Sequence, residues 1–179
     1  MRRFSLEMPN AFTAAECDAI VALGEDKAGE GAPVWTDLGY AVDAAARNAE
    51  TVLRHREAET ASLFARLDAL FAAAGEELGI PVGPLTEPVQ ILRYDVGSHF
   101  RTWHTDCGLD RIETRRLSAS VELSGPDEHE GGLLEIAPDR MGGPRTLPRG
   151  GAVFFPSRAL HHVTPVTRGV RRALVAWTG

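Results

Sequence analysis

After Ile80-Pro81 the chain changes its hydrophobic period, and that change decides the fold class. Seven short runs rich in apolar and β-branched residues follow: 89–94, 98–105, 117–123, 133–137, 152–155, 162–165 and 172–177. Turn residues separate them, as in Asp95-Val96-Gly97, Gly125-Pro126-Asp127, Gly131-Gly132, Gly142-Gly143-Pro144 and Arg149-Gly150-Gly151. Many short strands joined by Gly, Pro and Asp turns predict a sandwich or barrel. In the run 117–123 the odd positions are Leu117, Ala119, Val121 and Leu123, and the even ones are Ser118, Ser120 and Glu122. Period 2 gives it one dry and one polar face. That polar face suits a surface strand or the lining of a wet cavity.

The first half reads differently. Thr13-Ala14-Ala15-Glu16 is a capping box ahead of Ile20, Val21 and Leu23, and Gly24 is expected to end that helix. A loop with a short strand near 34–36 is expected over 25–42. A second helical stretch is expected over about 44–78, with Leu63, Leu67, Leu70, Phe71 and Ala74 on one face. Helices placed before the sheet, rather than between its strands, predict an α+β fold that is mainly β.

The 179 residues fit one domain, with 1–87 as helical support and 88–179 as the β core. The segment 24–42 is a possible lid. A net charge of −6 argues against nucleic acid as a partner. No apolar run reaches the roughly 20 residues of a membrane helix. Met1-Arg2-Arg3-Phe4-Ser5-Leu6-Glu7 turns acidic too soon for a signal peptide, and only Cys17 and Cys107 are thiols. Together these predict a cytoplasmic protein.

His104-Thr105-Asp106 places an imidazole and a carboxylate on one face of an expected strand. The pair suits a divalent metal such as Fe(II), although a His beside an Asp on a surface strand is commonplace. His161 or His162 offers a third ligand. Two histidines and one carboxylate leave one face of an octahedral metal open. Only one of the two adjacent histidines can face the metal, because neighbouring strand positions point opposite ways.

At this point the chain resembles a known family, the Fe(II)/2-oxoglutarate-dependent oxygenases, in their prolyl 4-hydroxylase-like (prolyl/lysyl hydroxylase type) branch. The pieces occur in order: Arg93-Tyr94-Asp95-Val96-Gly97, His104-Thr105-Asp106, Arg116-Leu117-Ser118, Glu130-Gly131-Gly132-Leu133-Leu134-Glu135, Gly150-Gly151-Ala152-Val153-Phe154-Phe155-Pro156, and the segment 160–177. Residues 4–17, with Glu16-Cys17, resemble the family's first strand and helix.

The resemblance implies a double-stranded β-helix (jelly roll) with N-terminal supporting helices, and it turns the polar face of Ser118, Ser120 and Glu122 inward. It implies His104, Asp106 and His161 as catalytic iron ligands, His161 being matched through His161-His162-Val163 and Gly169-Val170-Arg171, with His162 as the alternative. Arg171 matches the residue that pairs with the distal carboxylate of 2-oxoglutarate, and Arg172 is expected to point away. Tyr94 matches a tyrosine that hydrogen-bonds the co-substrate. Trp177, on the same face as Arg171, is expected to pack beneath it. An Asp at 106 favours hydroxylation over halogenation, for which related enzymes carry a small residue there.

The implied reaction uses Fe(II), 2-oxoglutarate and O2. It hydroxylates an unactivated C–H of an amino-acid side chain, peptide-bound or free, with release of succinate and CO2. Arg47, Trp103, Glu122 and the loop 107–115 are candidates for substrate contact at the mouth. Two other readings are a non-catalytic metal-binding jelly-roll module and a cupin-like metalloenzyme. Neither needs an anchor of the Arg171 and Tyr94 kind.

Overall fold

The computed structural model describes residues 4–25, 30–36, 39–108, 114–137 and 144–179. In chain order they form β1 (Leu6–Met8), α1 (Ala14–Glu25), β2 (Glu30–Gly31), β3 (Val34–Thr36), β4 (Gly39–Ala41), β5 (Arg47–Asn48), β6 (Glu50–Arg54) and α2 (Ala61–Leu78). Then come β7 (Val89–Tyr94), β8 (His99–His104), β9 (Leu117–Glu122), β10 (His129–Gly131), β11 (Leu134–Ile136), β12 (Ala152–Pro156), β13 (His161–Val163), β14 (Val166–Gly169) and β15 (Arg171–Thr178).

A seven-stranded sheet, β1-β12-β9-β15-β7-β6-β2, faces a four-stranded sheet, β11-β13-β8-β5. All strand pairs are antiparallel. This is the expected double-stranded β-helix.

The large sheet separates two cores. On its outer side, Leu117, Val121, Phe154 and Leu174 pack against Phe64, Leu67 and Phe71 of α2 and Ile20 of α1. The Phe71 and Phe154 rings meet edge-on at 5.2 Å. On its inner side, Leu92, Tyr94, Val153 and Phe155 face Leu134, Ile136 and Val163 of the smaller sheet. The alternation of 117–123 follows this division. Its odd positions enter the outer core, and Ser118, Ser120 and Glu122 are buried on the inner face.

The capping box forms: Thr13 N–H donates to Glu16 Oε2 at 2.7 Å, and Glu16 N–H donates to Thr13 Oγ1 at 3.2 Å. Gly24 does not end α1, which continues to Glu25. Its lack of a side chain serves packing instead, because a Cβ there would lie 2.6 Å from Ile91 Cγ2. The left-handed cap belongs to α2, where Gly79 has φ 67° and donates to the Glu76 carbonyl.

The helical reading of 44–78 holds only for its second part. Ala44-Ala45-Ala46 makes a single turn, because the Asp43 carboxylate accepts from the Ala45 and Ala46 N–H groups. Beyond it, β6 pairs with β7 through Thr51–Leu92 and Val52–Ile91. Sheet pairing, favoured by the β-branched Thr51, Val52 and Ile91, overrides the helix preference of the alanines. Strands β2 and β4 also fall inside the expected loop 25–42, and β3 matches the strand foreseen there. That possible lid and the loop 107–115 lie partly outside the described residues, and the Gly142-Gly143 turn wholly so.

Candidate metal centre and co-substrate pocket

His104 closes β8 and His161 opens β13, and the two are paired across the sheet. Their ring centroids are 4.1 Å apart. The register shifts next to this pair, since His161 faces His104 while Val163 faces Phe100. Residues four apart in a regular strand are separated by roughly 13 Å. Here the Phe100 and His104 rings stack at 3.6 Å, so β8 is bent. Such irregularities re-aim side chains.

Asp106 follows just beyond β8. Its N–H donates to the Ser157 carbonyl at 2.8 Å, which turns the chain back toward β13. The carboxylate then lies with Oδ1 4.0 Å from His104 Nε2 and Oδ2 3.5 Å from His161 Nε2. One ligand atom from each of the three residues falls within 4.8 Å of the others.

Each imidazole is oriented from behind. His104 Nδ1–H donates to the Thr102 carbonyl at 2.9 Å, and His161 Nδ1–H donates to the Ala159 carbonyl at 3.0 Å. Both Nε2 lone pairs are thereby free for a metal. Burial, reinforced by His161 nearby, pushes the His104 pKa down to about 4. Burial pushes the Asp106 carboxyl up, but His161, His104, the Ser118 hydroxyl and the Trp177 indole N–H outweigh it and hold it low. His104 is therefore neutral and Asp106 ionised near neutral pH, the forms that coordinate metal. Two imidazole nitrogens and one carboxylate are a donor set that fits Fe(II).

His162 does not join this cluster. Its Nε2 lies 2.8 Å from Glu135 Oε2, and its ring packs 4.1 Å from Trp103. The alternation of β13 thus brings His161, not His162, to Asp106.

The triad opens into a cavity of about 120 Å³ between the two sheets, which Tyr94, Arg171 and Trp177 also line. Arg171 and Tyr94 are paired across β15 and β7, and the guanidinium carbon lies 5.5 Å from the tyrosine ring centroid. Arg171 is buried, and its Nε donates to Glu122 Oε2 at 2.8 Å. Arg172 faces the other way and pairs with Glu25 at 2.9 Å. Trp177 stands beside Asp106, its indole N–H helping to hold the carboxylate ionised, with Arg115 stacked 4.0 Å over the indole.

Of the residues expected at the mouth, Arg47 and Arg115 line the cavity. Glu122 is instead buried beneath Arg171, because even positions of β9 point inward. Trp103 is 45% exposed and packs on His162 outside the cavity. Sequence reasoning missed three arrangements: the ion pair of Glu122 with Arg171, the two donors on Asp106, and the ion pair of Arg115 with Glu87. The polar alternation of 117–123 carried the signal for Ser118 and Glu122. Nothing local marks Glu87, which meets Arg115 across 28 positions.

Comparison with known proteins agrees with this geometry. The family model described as the 2OG-Fe(II) oxygenase superfamily matches residues 89–179. A PKHD-type hydroxylase of Synechococcus sp. (strain JA-2-3B'a(2-13)) is 37% identical over 97 residues, which cover 52% of this chain and 43% of that protein. The chain therefore spans less than half the length of this curated relative.

Among solved structures, a Pseudomonas putida prolyl-4-hydroxylase superposes with a TM-score of 0.75 at 21% identity, over 98% of this chain and 92% of that one. A Trichoplax adhaerens prolyl hydroxylase, solved with a hypoxia inducible factor peptide fragment, gives 0.75 at 16% identity, over 98% and 83%. These two share the fold. The family match takes in β7 to β15, all three clustered ligands and Arg171, and the chain belongs to the 2OG-Fe(II) oxygenase superfamily.

Proposed function

We propose that this protein is an Fe(II)- and 2-oxoglutarate-dependent dioxygenase. In this reading it hydroxylates an unactivated C–H of an amino-acid side chain, peptide-bound or free, and releases succinate and CO2. The observation that carries it is one cavity holding both a two-His, one-carboxylate cluster and a buried arginine on the opposite sheet. A plain metal-binding or cupin-like module has no use for the second element. The PKHD-type relatives and the peptide-bound prolyl hydroxylase support the substrate class. A cytoplasmic setting completes the reading, supported by the free thiols Cys17 and Cys107.

When bound, Fe(II), 2-oxoglutarate and O2 supply the oxidising chemistry. The chain supplies position. His104, Asp106 and His161 are the ligands. Thr102 and Ala159 hold the two imidazoles in the ligating tautomer, and Ser118 and Trp177 hold the carboxylate. Arg171 presents its terminal nitrogens to the distal carboxylate of the co-substrate, since Glu122 occupies only Nε among the described residues. Guanidinium suits that task through paired N–H bonds. Tyr94 packs beside that subsite, and Leu92, Leu134, Phe155 and Val163 keep the walls apolar and limit water.

The test is an anaerobic titration of the Fe(II)-loaded protein with 2-oxoglutarate, followed in the visible spectrum. A metal-to-ligand charge-transfer band is expected, absent in His161→Ala and shifted to much higher co-substrate concentration in Arg171→Gln. Bound iron with no band would overturn the reading.

A further inference from the structure

Among the described residues three arginines line the cavity, and two of them have their charge met by an acid. Arg171 is paired with Glu122, and Arg115 donates from Nε and Nη2 to both oxygens of Glu87. Arg47 is different. It is only 7% exposed, and its partners among the described residues are neutral: Nη1 donates to the Pro33 carbonyl and Nη2 to Gln90 Oε1, each at 3.1 Å. Its Nε is buried with no partner among the described residues. Removing a cation from water without a counter-charge is costly, and few arginines are buried so. The two neutral acceptors hold the guanidinium in place while leaving its charge unmatched, and each Nη keeps a second N–H.

The placement is equally specific. Arg47 sits on β5, beside β8, in the sheet that carries the metal ligands, whereas Arg171 sits on the sheet opposite. Its guanidinium carbon lies 4.8 Å from the Phe100 ring centroid, and Phe100 stacks in turn on His104. An anion held by Arg47 is thus two stacked layers from a ligand imidazole. The co-substrate has one distal carboxylate, and Arg171 already stands for it.

We infer that Arg47 is the anchor for the substrate itself, and that the substrate carries a carboxylate. This deepens the proposed oxygenase reading and rests on it. The matching chemistry is the α-carboxylate of a free amino acid or the side-chain carboxylate of Asp or Glu within a peptide. Arg47 is a specificity-determining residue, because a neutral isostere of the substrate leaves the buried cation unmatched.

The test uses the Fe(II)- and 2-oxoglutarate-loaded protein without O2, and reads the change in its charge-transfer band as probes are added. The probes are the free L-amino acids, the same amino acids as C-terminal amides, and end-capped tripeptides with Asp, Glu, Asn or Gln in the middle. A carboxylate-bearing probe is expected to perturb the band while its amide does not. Response to free acids alone identifies an α-carboxylate, and response to capped Asp or Glu peptides identifies a side chain. Arg47→Gln is expected to weaken the responding probe at least about tenfold, one charge-assisted contact's worth. Its 2-oxoglutarate titration should stay unchanged, and Arg47→Lys should restore part of the loss.

Amides that respond as well as acids, a panel with no responding carboxylate, or Arg47→Gln binding the probe normally would each overturn the inference. So would an Arg47→Gln protein whose chief loss is in 2-oxoglutarate itself. If Arg47→Gln does not fold, the acid–amide comparison on the natural protein and Arg47→Lys decide the matter. Failure of the underlying reading shows earlier, as absence of the band before any probe is added.

Discussion

Glu122 places a negative charge beside the arginine that the proposed function reserves for an anion. In the empty pocket it offsets the buried Arg171. With co-substrate present it faces a second carboxylate across the same guanidinium. Glu122→Gln keeps an acceptor for Arg171 Nε and removes the repulsion. That variant is expected to bind 2-oxoglutarate several-fold more tightly, while the unliganded protein loses stability because a buried cation is left uncompensated. Spectral titration and thermal melting check the two halves separately.

Ser118 and Trp177 act on the metal side. Trp177→Phe removes the indole N–H that helps keep Asp106 ionised, with little change in packing, and is expected to weaken metal affinity by about 10- to 100-fold. A competition assay with a metal-binding dye reads this directly. The pairing of His104 with Asp106 was legible from period 2 and a short motif, whereas the choice of His161 over His162 came from the family resemblance; the three cluster in the fold. The Asp106 donors were not legible, because they come from β9 and β15, which meet only in the folded sheet.

At the scale of elements, α2 shows what helical periodicity can and cannot reveal. Leu63, Leu67, Leu70, Phe71 and Ala74 form its buried face, as their spacing predicts. Residues 50–54 are strand because β7 offers them an edge, and residues 47–48 because β8 does, facts of tertiary structure that a short alanine run conceals. Gly24 shows the opposite: a glycine near a helix end predicts a stop, and here it is a contact point. Gly24→Ala is expected to destabilise the protein by about 1–3 kcal/mol through overpacking against Ile91. Phe71→Ala, which empties the edge-on contact with Phe154, is expected to cost about 3–5 kcal/mol. Chemical denaturation measures both.

For the whole molecule, the histidines proposed as metal ligands and the arginine proposed as co-substrate anchor belong to different sheets. His104 and His161 sit on the four-stranded sheet, and Tyr94 and Arg171 on the seven-stranded one. A ligand bound at both ends ties the layers together. Metal alone is therefore expected to raise the melting temperature, and 2-oxoglutarate added anaerobically to raise it further. Chelation should reverse both increments, and Arg171→Gln should lose the second while keeping the first.

The seven-stranded sheet also divides the work. Its outer face is filled by the helices and its inner face by the cavity, so adjacent residues of one strand, such as Val121 and Glu122, belong to different compartments. Mutational tolerance should follow that alternation. A library varied at the helix-facing positions would sample melting temperature while leaving ligand recognition largely in place. A library varied at the cavity-lining inward positions would sample recognition, with a cost in stability wherever it breaks the Glu122–Arg171 pair or the inner core. The strand is in effect a partition with separate tenants on its two sides: one side answers to the helices, the other to the ligand and the core around it.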